Sequence, residues 1–130
     1  MIKLNTFIAV KDASVSAKWY EEIFKLKNSS PEGHGFAVLK SEIGEIILCL
    51  HEWQKDDHPT MTDRNIPPGN GLILYFRSHD MDPIYQRVKN AGYPIEENIH
   101  MNPNSMKREF SMRDPDGYFL TVSEFHEFDQ

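Results

Sequence analysis

Histidine and carboxylate side chains are the residues of this 130-residue sequence best suited to chemistry, and His51, Glu52 and His58 lie close together in it. A set of two imidazoles and a carboxylate can hold a divalent ion or move a proton. Their spacing matches no recognised ligand pattern, because His51 and Glu52 are neighbours at a strand end and His58 falls in a loop. Solvated polar residues are the plainer reading. His34, His79, His100 and His126 are isolated along the chain and read as surface or hydrogen-bonded histidines rather than catalysts. The single cysteine, Cys49, can form no internal disulfide, and no helix N-terminus or basic neighbour is evident to lower its pKa. It reads as a small buried residue that points away from Leu48 and Leu50, toward the helix side. Tyr75 and Glu52 are candidates for an acid or base. Arg77 and Arg108 could pair with a ligand acid, although solvated rim positions suit both.

The elements that must position these residues follow from periodicity. Ile2 to Val10 alternates as a strand, and Asp12 stands where a helix N-cap belongs. From Ala13 to Phe24 the residues Val15, Trp19 and Ile23 recur every four positions beside Tyr20 and Phe24, which predicts an amphipathic helix. Pro31, Gly33 and Gly35 break the pattern. A short strand fits near Lys27 to Ser29, and strands follow over Phe36 to Leu39 and Glu45 to Leu50. From His51 to Asn70 periodicity is lost. Leu72 to Arg77 alternates again, and Met81, Ile84, Tyr85 and Val88 have helical spacing after Asp80, with Gly92 as the residue past the helix end. Ile95 to Met101 and Arg108 to Met112 read as two further strands.

The stretch from Arg113 to Glu124 closes the series. Pro115 fixes φ, Asp114 and Asp116 can bond back to backbone N–H groups, and Gly117 accepts the positive φ of a tight turn. Beyond it Tyr118, Leu120 and Val122 alternate with Phe119, Thr121 and Ser123. Asp12 and Asp80 lie 68 positions apart in the numbering, and Gly44 and Gly117 lie 73 apart, so strands and helix starts superpose with five residues of added loop. The chain reads as two copies of strand-helix-strand-strand-strand, one over about 1–53 and one over about 71–126, joined by a connection over about 54–70 into a single domain.

Length permits one self-sufficient core. A net charge of −6 argues against a nucleic-acid partner, and no long apolar run suggests a membrane span. With one cysteine and no apolar leader, a cytoplasmic protein is expected.

Val10-Lys11-Asp12 leading into Trp19-Tyr20-Glu21-Glu22-Ile23-Phe24, and the run from Arg108 to Gly117 ending in Asp-Pro-Asp-Gly, resemble the glyoxalase/bleomycin resistance/extradiol dioxygenase superfamily, the vicinal oxygen chelate proteins. The resemblance covers nearly the whole chain. It implies an α+β fold of two βαβββ modules whose strands form an incomplete barrel around a cavity, and a homodimer. In the metal-using branches the ligands stand on the first and last strands of each module, which by register implies Asn5, Leu48, Ile73 and Thr121 in this chain. Leu48 and Ile73 have no donor atom, and Asn5 and Thr121 are weak neutral donors, so neither a metal nor another cofactor is expected.

On that register Asn5, Phe7, Leu48, Leu50, Ile73, Tyr75 and Thr121 share the concave side and form the expected ligand-binding face. Such a lining suits a small ligand, aromatic or cationic, oriented by one or two hydrogen bonds. The expected function is metal-independent binding of a small molecule, in the manner of bleomycin resistance proteins. The alternative is a lyase- or isomerase-type enzyme, or a metal-dependent glyoxalase- or dioxygenase-like one, using atypical residues.

Overall fold

The computed structural model describes residues 1–30, 33–53 and 58–127, so Pro31 and residues 54–57 of the expected connection lie outside the described residues. Two compact units divide at residue 68. The first unit runs β1 (Phe7–Val10), α1 (Ala13–Phe24), β2 (Lys27–Asn28), β3 (Phe36–Lys40) and β4 (Ile46–Glu52). Its four strands form one sheet in the order β1-β4-β3-β2, with β1 parallel to β4 and the other pairs antiparallel. Only Phe7 to Val10 of the expected first strand pairs, and residues 1–6 precede it outside regular structure.

Helix α1 begins where Asp12, in extended conformation, accepts a hydrogen bond from the Val15 N–H at 3.1 Å. It ends at Lys25, which adopts the left-handed region at φ 58°. The buried stripe is Ala13, Ser16, Ala17, Tyr20 and Ile23, with Trp19 at its margin. Val15, expected in that stripe, is 60 % exposed. The helix is rotated so that small residues approach the sheet, and large rings fill the remaining space: Tyr20 stacks on Phe24 at 5.9 Å and meets Trp19 edge to face at 4.9 Å.

A one-residue irregularity in β4 fixes what the first sheet presents. Leu39 stands opposite Leu48 but Lys40 stands opposite Ile46, so Ile47 is an extra residue, a β-bulge. Beyond it Ile8, Val10, Ala37, Leu39, Leu48 and Leu50 lie on one face and are almost wholly buried. Glu52 continues that face and its carboxylate accepts from the Ala13 N–H at 2.9 Å, so this is the face that α1 covers.

The second unit repeats the order as β5 (Leu74–Ser78), α2 (Met81–Asn90), β6 (Ile95–Met101), β7 (Arg108–Arg113) and β8 (Phe119–Glu124). Its sheet order is β5-β8-β7-β6, again with only the first pair parallel. The chain is therefore built of two βαβββ modules. Helix α2 buries Met81, Ile84 and Val88, and Tyr85 meets Phe110 edge to face at 5.1 Å. Asp80 precedes the helix without a side-chain cap bond, and its own N–H donates to Ser78 Oγ instead. Past Ala91, Gly92 supplies φ +75° and ends the helix as expected. In the turn before β8, Asp114 Oδ1 accepts from both the Asp116 and Tyr118 N–H groups at 2.9 Å, while Gly117 holds φ +94°. Gly69, at φ +78°, lies so close to the Tyr118 ring that an added Cβ would meet Cδ1 at 3.0 Å.

Candidate functional site

In each sheet, residues standing opposite one another on neighbouring strands point to the same side. In the second module Tyr75 stands opposite Thr121 and Thr121 opposite Ser111, while Arg77 stands opposite Ser123 and Ser123 opposite Glu109. All six lie on the face turned away from α2, which packs on the side of Phe110. In the first module Phe7 stands opposite Cys49 and Cys49 opposite Val38; Ala9 stands opposite His51 and His51 opposite Phe36. These six lie on the face turned away from α1.

Phe7 and Tyr75 are each five residues before the aspartate that starts the helix, so the two sets correspond position by position. Cys49, not Leu48, is the counterpart of Thr121. This corrects the expected ligand-binding face: Leu48 and Leu50 lie in the core beneath α1, while Phe7, at 47 % exposure, is on the other face with Cys49. The bulge at Ile47 is the physical reason, because one inserted residue turns every later side chain to the opposite side. Tyr75 and Thr121 stand opposite each other on the far face of the second module, while Asn5 and Ile73 lie outside the strands and are exposed.

The corresponding positions carry opposite chemistry. In the first module the far face is aromatic and apolar: Phe7 and Phe36 rings are 5.7 Å apart, Phe36 meets His51 at 6.2 Å, and His51 meets His58 at 5.0 Å. His51 is buried and its Nδ1 lies 2.8 Å from the Glu52 carbonyl, which can only accept, so Nδ1 carries the proton. Burial pushes the Cys49 thiol pKa up, so the residue stays a neutral thiol at neutral pH.

In the second module the same positions are polar. Ser111 Oγ and Thr121 Oγ1 share a buried hydrogen bond of 2.9 Å. Glu109 accepts from Asn102 Nδ2 at 2.9 Å. Beside these lies a cleft of about 970 Å³ whose lining includes Tyr75, Arg77, Asn104, Lys107, His126 and Glu127. His126 Nδ1 faces the Glu127 carbonyl at 3.4 Å, which leaves Nε2 to accept from the Tyr75 hydroxyl at 3.1 Å. Arg77 donates to the His126 carbonyl at 2.6 Å and lies over the Phe125 ring at 5.4 Å. Glu109 and Lys107 have no counterpart among the sequence-based candidates, and His126 was read only as a surface or hydrogen-bonded histidine. Glu109 alternates with Ser111 along β7 and could have been placed once β7 was paired with β8, whereas His126 lies beyond the last strand, where no periodic signal reaches.

The superfamily's metal positions, corrected for the bulge, are Asn5, Cys49, Ile73 and Thr121. Ile73 has no donor, the Thr121 hydroxyl is bonded to Ser111, and Asn5 offers only a neutral amide. This donor set does not fit a divalent ion. His51, Glu52 and His58 do not converge either, since Glu52 turns toward the Ala13 N–H on the face opposite to His51. Among the described residues no group of three or more His, Cys, Asp or Glu side chains could hold a metal ion, and no helix is long and apolar enough to cross a membrane.

A family model, Glyoxalase/Bleomycin resistance protein/Dioxygenase superfamily, matches residues 3–122. Among solved structures, a bleomycin resistance determinant encoded on the transposon Tn5 aligns at 16 % identity and TM-score 0.68, covering 98 % of this chain and 100 % of that one. Lactoylglutathione lyase from Agrobacterium tumefaciens aligns at 20 % identity and TM-score 0.68, covering 95 % and 92 % of the two chains. A protein from the mobile metagenome of V. pseudocholerae aligns at 22 % identity and TM-score 0.70, covering 98 % and 97 %. Likeness at these identities shows a shared fold. No curated protein matches the chain.

Proposed function

We propose that this chain, which belongs to the glyoxalase/bleomycin resistance protein/dioxygenase superfamily, binds a small molecule without a metal ion. The observation that carries this reading is the donor set at the superfamily's metal positions, where Ile73 offers nothing and Thr121 is bonded to Ser111. What the far faces offer instead is recognition: an aromatic surface from Phe7 and Phe36, backed by the buried His51, in one module, and hydroxyl and guanidinium groups in the other. An aromatic ligand suits the first face and a hydrogen-bonding one the second, with Asn5 and Phe7 the candidate contacts in the first module and Ile73, Tyr75 and Thr121 those in the second. The negative overall charge favours approach of a cationic ligand at long range. In this reading residues 1–130 act as one domain, the protein is a cytoplasmic homodimer, and no further cofactor takes part.

Native mass spectrometry against a panel of small aromatic compounds, with and without a chelator, tests the proposal. Stoichiometric binding that survives chelation, with the compound recovered unchanged, is the expected result. Binding that requires added metal, or conversion of the compound, overturns it.

One contact favours a second reading. The Tyr75 hydroxyl hydrogen-bonded to His126 Nε2 is a proton-transfer pair in a cleft, as an isomerase- or lyase-type enzyme would use. Chelator-resistant turnover lost in Tyr75→Phe would select it over simple binding. Glu52 is a weaker candidate for such a role, because its carboxylate is bonded at the start of α1.

A further inference from the structure

Resting on that reading, we propose that the cleft of the second module takes a carboxylate group of its ligand between Arg77 and Lys107. Both side chains line the cleft, Arg77 from β5 and Lys107 from the connection between β6 and β7. Two cations in one cleft of a chain with net charge −6 are a local reversal of sign. Screening limits the reach of distant charges to about 8 Å at physiological salt, so groups lining the cleft outweigh the overall charge there. A guanidinium presents parallel donors that match a carboxylate, and its contacts with the His126 carbonyl and the Phe125 ring fix the orientation of that plane.

Glu127 shows what chemistry the place accepts. It is the one acid among the described residues lining the cleft, and its carboxylate lies 3.6 Å from Arg77 Nη1 with the side chain 71 % exposed. That is an ion pair beyond hydrogen-bonding distance, held loosely at the surface. A ligand carboxylate that closes to bonding distance takes over the position, and Glu127 swings into water. Glu127 is thus a built-in competitor, and the long-range preference of the molecule for cations is reversed at this one cleft.

The test uses the full 15N-labelled chain titrated with benzoate, and in parallel with benzylamine and benzyl alcohol, followed by nuclear magnetic resonance. Benzoate is expected to give saturable shifts at the Arg77 Nε–H and at the backbone amides of Lys107 and His126. Those shifts should weaken in K107Q, disappear in R77Q, and saturate at about two- to fivefold lower concentration in E127Q, the scale of one exposed ion pair. Unchanged circular dichroism and melting of K107Q and E127Q keep the comparison valid should R77Q misfold. Benzylamine binding in preference, benzyl alcohol binding as tightly as benzoate, indifference of benzoate to K107Q and E127Q, or no response of the cleft to benzoate each overturn the carboxylate assignment. None of these outcomes touches the broader reading, which stands or falls on chelator-resistant binding of the unaltered compound.

Discussion

Glu52 and Glu124 occupy the same place in the two modules, the first opposite Val10 at the end of the parallel pair β1–β4 and the second opposite Ser78 at the end of β5–β8. Both tie the last strand to the start of the module's helix, by different chemistry. Glu52 accepts directly from the Ala13 N–H, whereas Glu124 acts through Arg108, which also bonds Asp82 in the first turn of α2 at 2.8 Å.

The direct contact predicts a helix-capping effect. Glu52→Ala should remove a charge-assisted bond to an N–H that the helix itself cannot satisfy and destabilise the first module by about 1 kcal/mol. Urea unfolding of the variant against the parent measures it; Glu52→Gln, which keeps an acceptor, should lose less.

The indirect contact predicts a pH dependence. The Glu124 carboxyl is held below its ordinary range, first by the bond from the Arg108 backbone N–H at 2.7 Å and then by the Arg108 side chain, and Arg108 is itself raised by Asp82 and Glu124. A lowered folded-state pKa means stability that is fully present above the unfolded glutamate pKa, about 4.3, and lost as pH falls through the lower folded value. Glu124→Gln should therefore be less stable than the parent at pH 7, with the difference shrinking below about pH 4. Melting temperatures across that window decide it, and a difference independent of pH would contradict an origin in the charge of the carboxylate.

The buried hydroxyl pair predicts non-additive mutations. Ser111→Ala or Thr121→Val alone leaves one buried hydroxyl without its 2.9 Å partner and should cost about 1–3 kcal/mol. The double variant removes both and should cost clearly less than the two single costs together. A double-mutant cycle by denaturant unfolding measures the coupling.

Two glycines predict different costs for the same substitution. Gly117→Ala meets no atom within 4 Å and suffers only from its φ of +94°, about 1 kcal/mol. Gly69→Ala suffers similar strain and also drives its Cβ to 3.0 Å from the buried Tyr118 ring, so it should be the more damaging of the two. Thermal melts of both variants settle the order.

What the sequence revealed followed the strength of its local signals. Helix α1 carried a cap at Asp12 and large apolar residues at helical spacing, so its bounds could be placed although its buried face, which leaves Val15 exposed, could not. The Asp114 turn was equally plain, because its proline, aspartate and glycine each have a separate conformational reason to be there. The first module's ligand-facing residues were not legible. A register counted from Gly44 by analogy with Gly117 misses one residue at Ile47, since β4 is apolar on both faces from Ile46 to Leu50 and alternation gives no warning. The cleft was hidden for another reason: Lys107 and His126 sit in irregular segments that only the paired strands bring to one place.

The bulge at Ile47 also bears on how such chains diverge. Losing Ile47 would remove the bulge and restore regular pairing, with Leu48 and Leu50 still beneath the helix because their burial holds the register of the strand beyond it. The bulge can therefore take up a one-residue change of length without exchanging what the two faces present.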